Sequence, residues 1–504
     1  MDVLNHLLNG FHTALSFHNI YLCFIGCLWG TIVGVLPGVG PLIGITLLIP
    51  ATFQFDATGA IIMLTGIYYG AMYGGSTTSI LMNIPGESAS IVTCLDGYQM
   101  TLKGRGGAAL FISAWGSWVG GTLSIIGLML LAPILADFAM KFGPPEMFAV
   151  FLIAFILIGS LGRNSFFKTM PTVFMGMLIG TIGMDPLTGV LRFTHGSKDI
   201  YDGLGILPVA MGTFGIGEVL SSTEGSLIRI IHKVKFSELL PTRKELRASL
   251  GPILRGSGLG FVIGLLPGAA HILASFVSYM GEKRLAKNPE EFGTGRIEGV
   301  AGPETANNAA TGGAMIPFLG MGIPTGPAPA VMMIALLIHG VQPGPLFISQ
   351  QPDIFWGLVA SMYLGNVILI ILNLPFVGIF VNILRVPFRI LFPIILLICI
   401  VGTYSVNLST FDLAVLLCFG VFGYVFRKLD YDLAPFVLAM ILGPSIEVAF
   451  RQSLMGSGGS FSIFWQKPIA LVLILLSCLM LIWNVFRALR LTRASWEKAL
   501  ELSE

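Results

Sequence analysis

Apolar stretches long enough to cross a lipid bilayer recur along most of the chain. A helical crossing needs about 20 predominantly apolar residues. Stretches of this kind lie at 107–135, 146–161, 169–187, 206–222, 354–384, 387–403, 410–426, 433–450 and 468–486. Since only helices and closed barrels satisfy the backbone inside a bilayer, the pattern predicts an all-α polytopic membrane protein with about 11 crossings.

Two kinds of interrupted apolar segment occur once in each half of the chain. Gly34-Val-Leu-Pro-Gly-Val-Gly40 is matched by Gly264-Leu-Leu-Pro-Gly-Ala-Ala270, and residues 74–88 approximately repeat the end of the polar segment 303–326. Interrupted segments in corresponding halves are typical of secondary transporters with a substrate site between their repeats. We therefore predict repeats at 1–222 and 251–450, a basic loop at 223–250, and a final crossing with a tail at 451–504.

The basic residues predict how the chain is oriented. Loops on alternate sides of the predicted crossings differ sharply in charge, and one side holds all but five of the 28 Lys and Arg residues. Those five are Lys141, Arg192, Lys198, Arg451 and Lys467. By the positive-inside rule, the basic side is cytoplasmic. The N-terminus is then expected on the outside, which is the periplasm in a bacterium, and the C-terminus in the cytoplasm.

The same alternation predicts two hairpins that enter and leave the membrane on one face. Basic residues flank 252–281 on both sides, and each arm beside Pro267 has an apolar part of about 12 residues, which is too short to cross. By analogy, 20–53 forms a hairpin with its tip at Pro37–Pro41. Each hairpin is followed by a broken crossing, at 58–100 and 299–342, and the two repeats are inverted. The alternative for each tip is a kink in a full-length helix.

Composition narrows the class of protein further. Of the 504 residues, 55% are hydrophobic and only 11% are charged, with mean hydropathy +0.85. The net charge of +2 forms no basic face, so no nucleic-acid partner is predicted. The cysteines are scattered without a CxxC motif and read as packing residues. No basic residue precedes Lys103, which argues against a cleaved secretory signal at the N-terminus.

No Lys or Arg lies at the centre of an apolar segment, so a transported anion would be held by backbone N–H groups at helix N-termini and by uncharged side chains. For any single hydroxyl, bonding to its own helix is the alternative. The candidate substrate-binding residues are Gly38, Gly40, Ser76, Thr77, Thr78, Ser88, Ser90, Gly268, Asn308, Thr311 and Thr325, with Gly322 at the second break.

Acidic and amide residues near the interruptions are candidates for a coupling cation. Intramembrane acids are functional candidates by default. An anion that enters a site without fixed positive charge needs co-bound cations, which favours symport. The candidates are Asn83, Glu87, Glu304 and Asn307, with Na⁺ considered at Asn83 and Asn307 and H⁺ as the other coupling ion. A helix-start role is the alternative for Glu304. Asp96, Glu218 and Glu447 lie nearer the predicted interfaces, and His271 suits a proton relay or a structural role.

These motifs resemble the large membrane subunit of the bacterial tripartite tricarboxylate transporters. The resemblance rests on Gly34 to Pro41, on Asn83-Ile-Pro-Gly-Glu-Ser88 with Asp96-Gly97, on Leu266-Pro-Gly268, and on Pro303-Glu-Thr-Ala-Asn-Asn-Ala309 with Ile316-Pro317 and Gly322-Ile-Pro324. It implies cation-coupled import of citrate or related carboxylates across the inner membrane. It also implies a small four-helix membrane subunit and a periplasmic solute-binding protein as partners. An elevator motion is expected by analogy alone.

Other classes of protein fit the sequence less well. An ATP-driven pump would carry a GxxxxGK[ST] loop, which the chain lacks. An intramembrane enzyme would need a base near Ser76, Ser88 or Ser90, and no His or Lys lies near them in sequence. A channel stays open as an alternative, although paired hairpins argue against a continuous pore. The sequence predicts no enzyme activity and no cofactor beyond the coupling ion.

Overall fold

A computed structural model describes residues 2–36, 39–139, 141–161, 166–222, 239–266, 270–383, 388–431 and 433–501. The described chain is almost entirely helical, with one short antiparallel pair of strands. Six of its helices are long and apolar enough to cross a membrane: Phe17–Val35, Gly106–Leu135, Pro352–Asn373, Thr410–Lys428, Pro435–Gly456 and Pro468–Phe486. The predicted class, an all-α polytopic membrane protein, is confirmed. The predicted number of crossings stays a prediction.

The first half of the chain contains α1 Asp2–Ala14, α2 Phe17–Val35, α3 Gly40–Thr52, α4 Ala57–Met82, α5 Thr93–Leu102, α6 Gly106–Ala139, α7 Pro144–Leu161, α8 Phe166–Gly180, β1 Gly183–Met184, β2 Leu191–Arg192, α9 Ile206–Ala210 and α10 Gly217–Ser222. A 3₁₀ turn at Ser88–Ile91 precedes α5, another lies at Lys198–Ile200, and a π-helical turn at Met211–Ile216 joins α9 to α10.

The second half contains α11 Arg243–Gly264, α12 Ala270–Leu285, α13 Glu298–Met321, α14 Pro327–Ile338, α15 Phe347–Gln350, α16 Pro352–Asn373, α17 Val377–Ile383, α18 Phe388–Asn407, α19 Thr410–Lys428, α20 Ala434–Gly456, α21 Ile463–Gln466 and α22 Pro468–Glu501, with a 3₁₀ turn at Pro289–Glu291. The apolar stretch 354–384 was expected to be one element. It forms two, α16 and α17, because the intervening turn contains Pro375.

Packing divides the chain into two compact units. The first comprises Met1–Ala139 and Ala210–Tyr424, and the second comprises Met140–Val209 and Val425–Glu504. This division does not follow the sequence boundaries drawn for the two repeats, which stay a prediction. The first unit contains the matched segments of both halves of the chain.

Glycines at four-residue spacing bring α2 close to α4. A Cβ on each glycine would lie 2.2, 2.4 or 2.3 Å from a carbonyl oxygen of α4, a distance that no real side chain tolerates. Small residues of this kind let membrane helices approach through their backbones. The pairs are Gly26 with Met63, Gly30 with Ile67 and Gly34 with Ala71.

The same arrangement recurs between α11 and α13. Here a Cβ on each glycine would lie 2.6, 2.2 or 2.4 Å from a carbonyl oxygen of α13. The pairs are Gly256 with Gly302, Gly260 with Ala306 and Gly264 with Ala310. Two structurally equivalent helix pairs therefore occur, one from each half of the chain, each at the same spacing of four residues.

A third helix packs against each pair: α3 contacts α4, and α12 contacts α13. These are the predicted second arms of the two hairpins. The predicted tips Pro37–Gly38 and Pro267–Gly268 lie outside the described residues. A capping box between Thr242 and Glu245 starts α11 at Arg243, nine residues before the predicted start of the second hairpin at 252. The helix has 22 residues, about 33 Å at 1.5 Å per residue. Whether either hairpin is re-entrant stays a prediction.

Helices α4 and α13 continue through their polar residues and end beyond them. α4 runs through Ser76, Thr77 and Thr78 and ends at Met82, and α13 runs through Pro303 and Pro317 and ends at Met321. Both end in a left-handed residue, Asn83 (φ 56°) and Gly322 (φ 70°). Ser76, Thr77 and Thr78 therefore lie within α4 and not at its end. Small polar residues and prolines are tolerated inside these helices because neighbouring helices and hydroxyls satisfy freed backbone groups.

The second unit contains a ring of four charged side chains. Asp185 pairs with Arg192 (3.6 Å) and Arg451 (2.7 Å), and Glu447 pairs with the same two guanidinium groups at 2.8 and 3.1 Å. Glu447 is thus neutralised by two arginines. This arrangement is typical of a structural carboxylate. The side chain of Glu218, another acid singled out from the sequence, lies outside the described residues.

Candidate functional site

The Glu304 carboxylate is fully buried on α13 and receives hydrogen bonds from the first half of the chain. Its Oε2 accepts from Ser76 Oγ on α4, and its Oε1 accepts from Thr93 Oγ1 on α5. Among the described ion pairs, none involves this carboxylate. The site therefore combines an acid from one half with hydroxyl groups from the other, without a paired guanidinium or ammonium group.

Two amides on α13 complete the buried polar cluster. Asn308 Nδ2 donates to Asn307 Oδ1 (2.7 Å), to Ser117 Oγ on α6 (2.8 Å) and to the Glu304 carbonyl (3.1 Å). Asn307 Nδ2 and Asn308 Oδ1 are buried without a hydrogen-bond partner in the described chain. Unsatisfied buried polar atoms are costly and rare, so these two atoms mark a place where a ligand or water is expected.

Glu87 lies beside this cluster in the first break. It caps the 3₁₀ turn through Oε2, which accepts from Ala89 N at 2.9 Å, whereas its Oε1 is buried without a partner. A Cβ on Gly75 would lie 2.7 Å from Glu87 Cγ, so the glycine makes room for the acid against α4. Glu87 and Glu304 interact electrostatically. Two carboxylates therefore share one region with only uncharged donors in contact.

Most of the hydroxyl groups singled out from the sequence bond locally. Thr78 donates to the Gly75 carbonyl and Thr311 to the Asn307 carbonyl, each within its own helix. Ser90 donates to the Glu87 carbonyl. These residues therefore show the local hydrogen bonding that was the alternative to substrate binding. Thr325 bonds the Ala314 carbonyl at 3.5 Å, Thr77 is buried on α4, and Ser88 is half-buried at the start of the 3₁₀ turn.

The remaining candidates lie at the ends of helices. Gly40 begins α3 with φ +63°, a conformation that favours glycine. Gly38 and Gly268 lie outside the described residues. Asn83 is exposed at the end of α4, and the described hydrogen bonds do not connect it to Asn307. Na⁺ binding at Asn83 and Asn307 stays a prediction.

His271 contacts a tyrosine of the opposite half. Its Nε2 lies 2.8 Å from Tyr68 OH, and the two rings meet edge to face with centroids 5.5 Å apart. Tyr68 is on α4, and His271 is at the start of α12, immediately after the second hairpin tip. The imidazole therefore joins the second hairpin to the helix that carries Ser76. Whether it also relays protons stays a prediction.

Sequence reasoning missed Thr93 and Ser117. Asp96, which it placed nearer the predicted membrane interface, is fully buried within the protein. Thr93 and Asp96 are three residues apart on α5, so they share one face of that helix. This spacing was the sequence signal that could have placed Thr93 on the same side of the helix as Asp96. Ser117 offered none, because a serine in an apolar helix usually bonds its own backbone.

The donor set of this cluster consists of oxygen atoms and amides. Carboxylate, hydroxyl and amide oxygens are ligands for hard cations, and a carboxylate can also exchange a proton. Within the described residues no group of three or more His, Cys, Asp or Glu could hold a metal ion. A donor set of this kind can bind a hard cation, and its carboxylate can be protonated.

The fold and the buried polar cluster define a multi-pass membrane protein of the transporter class. Residues 20–438 match the family model described as the tripartite tricarboxylate transporter TctA family. The chain belongs to this family, whose members are the large membrane subunit of these transporters.

Two curated relatives are similar to this chain. An uncharacterized 52.8 kDa protein in the TAR-I ttuC' 3' region of Agrobacterium vitis is 44% identical over 470 residues, which covers 93% of this chain and 94% of the relative. A protein in the TAR-II ttuC' 3' region of the same organism is 44% identical over 234 residues, covering 46% of this chain and 97% of the relative. No solved structure matches the chain.

Proposed function

We propose that this protein is the permease subunit of a binding-protein-dependent, cation-coupled importer of tricarboxylates such as citrate, or of related carboxylates. The coupling ion is Na⁺ or H⁺. The observation that carries the proposal is the buried Glu304 carboxylate, held by hydroxyl groups of the opposite half of the chain. Burying an uncompensated charge is costly. A cation or proton bound there would offset this cost.

The substrate side of the proposal rests on helix N-termini. α3 begins at Gly40 and α14 begins at Pro327. Pro41, Pro327 and Pro329 have no N–H group, so Gly40 and Ala328 carry the N–H groups nearest to these two helix starts. Backbone N–H groups at a helix N-terminus bind anions, and the helix dipole favours negative charge there. A carboxylate bound near these termini and a cation near Glu304 would reduce each other's desolvation cost, which is the physical basis of symport.

The remaining features of the system are inferred from the family and from the charge pattern. A small four-helix subunit and a periplasmic binding protein would act as partners, and the membrane would be the bacterial inner membrane. The excess of basic residues on one side favours a cytoplasmic C-terminus and a periplasmic N-terminus. The two equivalent helix pairs support a pair of repeats. Inverted repeats would permit alternating access, with an elevator motion as the proposed form.

The test is uptake of radiolabelled citrate into proteoliposomes that contain this chain, its small subunit and its binding protein. A Na⁺ gradient, a pH gradient or neither is imposed. We expect saturable uptake that needs the binding protein and one gradient. Glu304→Gln and Asn307→Ala should abolish gradient-dependent uptake, because they remove the buried charge and a neighbouring amide.

Asp353→Asn is a matched control, since Asp353 is an exposed acid in the first turn of α16. Its uptake should equal that of the wild type. Gradient-independent uptake that does not saturate would replace the transporter proposal with a channel. No uptake across a panel of di-, tri- and aromatic carboxylates would remove the carboxylate-symport proposal and leave the family assignment unchanged.

A further inference from the structure

Asp96, which no step of the proposed function uses, has an unusually complete set of hydrogen-bond donors. Its Oδ1 accepts from the backbone N–H groups of Gly293 (2.9 Å), Gly295 (2.7 Å) and Arg296 (2.7 Å). Its Oδ2 accepts from Tyr279 OH at 2.9 Å. Three backbone amides of residues 293–296 and a phenol therefore enclose one fully buried carboxylate. Carboxylates bound in this way are held strongly, because hydrogen bonds to a charged group are about twice as strong as neutral ones.

The backbone of the loop between α12 and α13 adopts conformations that allow this contact. Gly293 and Gly295 have φ of +88° and +106°, conformations that side chains rarely adopt, and a Cβ on Gly299 would lie 2.3 Å from Asp96 Oδ2. Lys103, just after α5, also donates to the Thr294 carbonyl at 2.5 Å. The segment between α12 and α13 therefore packs against α5.

Helix α5 also contributes a hydroxyl group to the candidate cation site. Thr93 precedes Asp96 by three residues on α5, and its hydroxyl donates to Glu304 Oε1 on α13. One side of this short helix therefore contacts Glu304, and one turn later it is fixed to the loop that leads into α13. A rotation or shift of α5 would separate Thr93 from Glu304 while leaving Ser76 on α4 in place.

We propose that Asp96 is a positioning residue for the candidate cation site: its bonds to residues 293–296 and Tyr279 hold α5 so that the Thr93 hydroxyl reaches Glu304. This inference rests on the proposed cation coupling and adds that the loop between α12 and α13 sets the affinity of the site. Asp96 acts through Thr93 and does not itself touch the cation.

The test is a double-mutant cycle in the complete system of chain, small subunit and binding protein. Half-saturating Na⁺, or the apparent pH midpoint for H⁺, is measured in citrate uptake for the wild type, Asp96→Asn, Thr93→Val and the double variant. Each single variant should shift the apparent cation affinity by roughly tenfold, the effect of one charge-assisted hydrogen bond. The shift is towards weaker Na⁺ binding, because the hydroxyl group that orients the carboxylate is lost, or towards stronger H⁺ binding, because the lost donor no longer stabilises the ionised carboxylate. The double variant should shift no further than Thr93→Val, because both changes remove the same contact.

Thr101→Val is the matched control on α5, since Thr101 is buried and bonds the Ile80 carbonyl at 2.7 Å. Its cation affinity should be unchanged. Tyr279→Phe removes one donor to Asp96 and should give a smaller shift in the same direction, which keeps the proposal testable if Asp96→Asn does not fold. Cation-dependent thermal stabilisation of the purified chain, in NaCl against choline chloride and across pH, gives a second readout.

The outcomes separate this inference from the function on which it rests. A wild type without any cation dependence would remove the proposed coupling and this role for Asp96 with it. A cation-dependent wild type with unchanged affinity in Asp96→Asn and Tyr279→Phe would overturn the positioning role alone. Additive shifts in the double variant would also overturn it, because Asp96 would then act by a route other than Thr93.

Discussion

The helix pairs α2–α4 and α11–α13 share one backbone arrangement but contribute different chemistry. In both, three glycines at four-residue spacing lie against carbonyl oxygens of the partner helix. Beyond this contact the pairs differ. The first half contributes the hydroxyl groups of Ser76 and Thr93, whereas the second contributes the Glu304 carboxylate and the amides of α13.

This difference shows that the residues that pack the helices together are not the residues that form the polar cluster. Glycine contacts set the distance between the helices of each half and need no polar side chain. The residues facing the other half are then free to differ, and at Glu304 they do so in a complementary way, because hydroxyl donors of the first half meet a carboxylate of the second. Function resides in the difference between the halves, and stability in what they share.

The largest effect is expected from breaking the shared packing. Gly30→Leu and Gly260→Leu place a branched side chain where a Cβ would already lie 2.4 or 2.2 Å from a carbonyl oxygen. Each should cost about 3 kcal/mol or more through overpacking. The measurement is the yield of monodisperse protein and its thermal stability in detergent.

Gly258→Leu is the control in the same helix, because Gly258 is exposed and a Cβ there meets nothing within 4 Å. It should behave like the wild type. Equal stability of all three variants would show that the close approach of the helices does not hold either half together.

A smaller effect is expected where the halves differ. Ser76→Ala removes the hydrogen bond to Glu304 Oε2, and bonds to charged groups contribute about 1.5–3 kcal/mol. Apparent Na⁺ affinity in uptake should fall by at least tenfold, or apparent H⁺ affinity should rise by that factor, because the lost donor stabilised the ionised carboxylate. Ser257→Ala on α11 is the matched control, because Ser257 bonds its own helix through the Ile253 carbonyl at 2.8 Å and should change affinity little. Equal effects of the two variants would contradict the assignment.

The contact between α4 and the second hairpin should matter less. Tyr68→Phe removes the hydroxyl group that meets His271 Nε2 and should cost about 1 kcal/mol, the usual value for a neutral hydrogen bond. Thermal unfolding of the purified chain measures this loss, with the exposed Tyr404→Phe as the control. If His271→Phe adds a full further loss in the Tyr68→Phe background, the two side chains are not coupled.

The smallest effect is a pH dependence confined to the second hairpin. Burial acts to raise the pKa of Glu245, but hydrogen bonds from Arg105 and Thr242 outweigh it and hold the pKa below its usual value. A depressed pKa contributes stability above the unfolded-state value, about 4.3, which is lost as the pH falls through the folded-state value.

The start of α11 should therefore loosen below about pH 4, in the range of an unperturbed glutamate. The start of α2, capped by Ser16, should not respond in this range. Hydrogen exchange of the two helix starts between pH 3 and pH 7 measures the contrast, and Glu245→Gln should remove it. A response of both helix starts would attribute the change to the whole fold.

Much of the fold could be predicted from the sequence because membrane burial leaves a strong signal. Long apolar stretches gave most of the helices, and the paired Pro-Gly motifs lie between α2 and α3 and between α11 and α12. The ends of α4 and α13 fall inside the predicted broken crossings 58–100 and 299–342, but beyond several of their polar residues. Polar residues such as Ser76 and Asn307 look like helix breakers in isolation, but a neighbouring helix can satisfy them without ending the helix.

The sequence by itself determined the class of protein, the matched halves and the acid at the centre of the candidate site. These are local properties, set by hydropathy and by the cost of burying charge. Only the tertiary structure decided which residues meet Glu304, because Ser76 and Thr93 are 228 and 211 residues away in sequence. It also decided that Asp96 is enclosed by residues 293–296. Contacts at such separation depend on how whole helices pack, which no local pattern encodes.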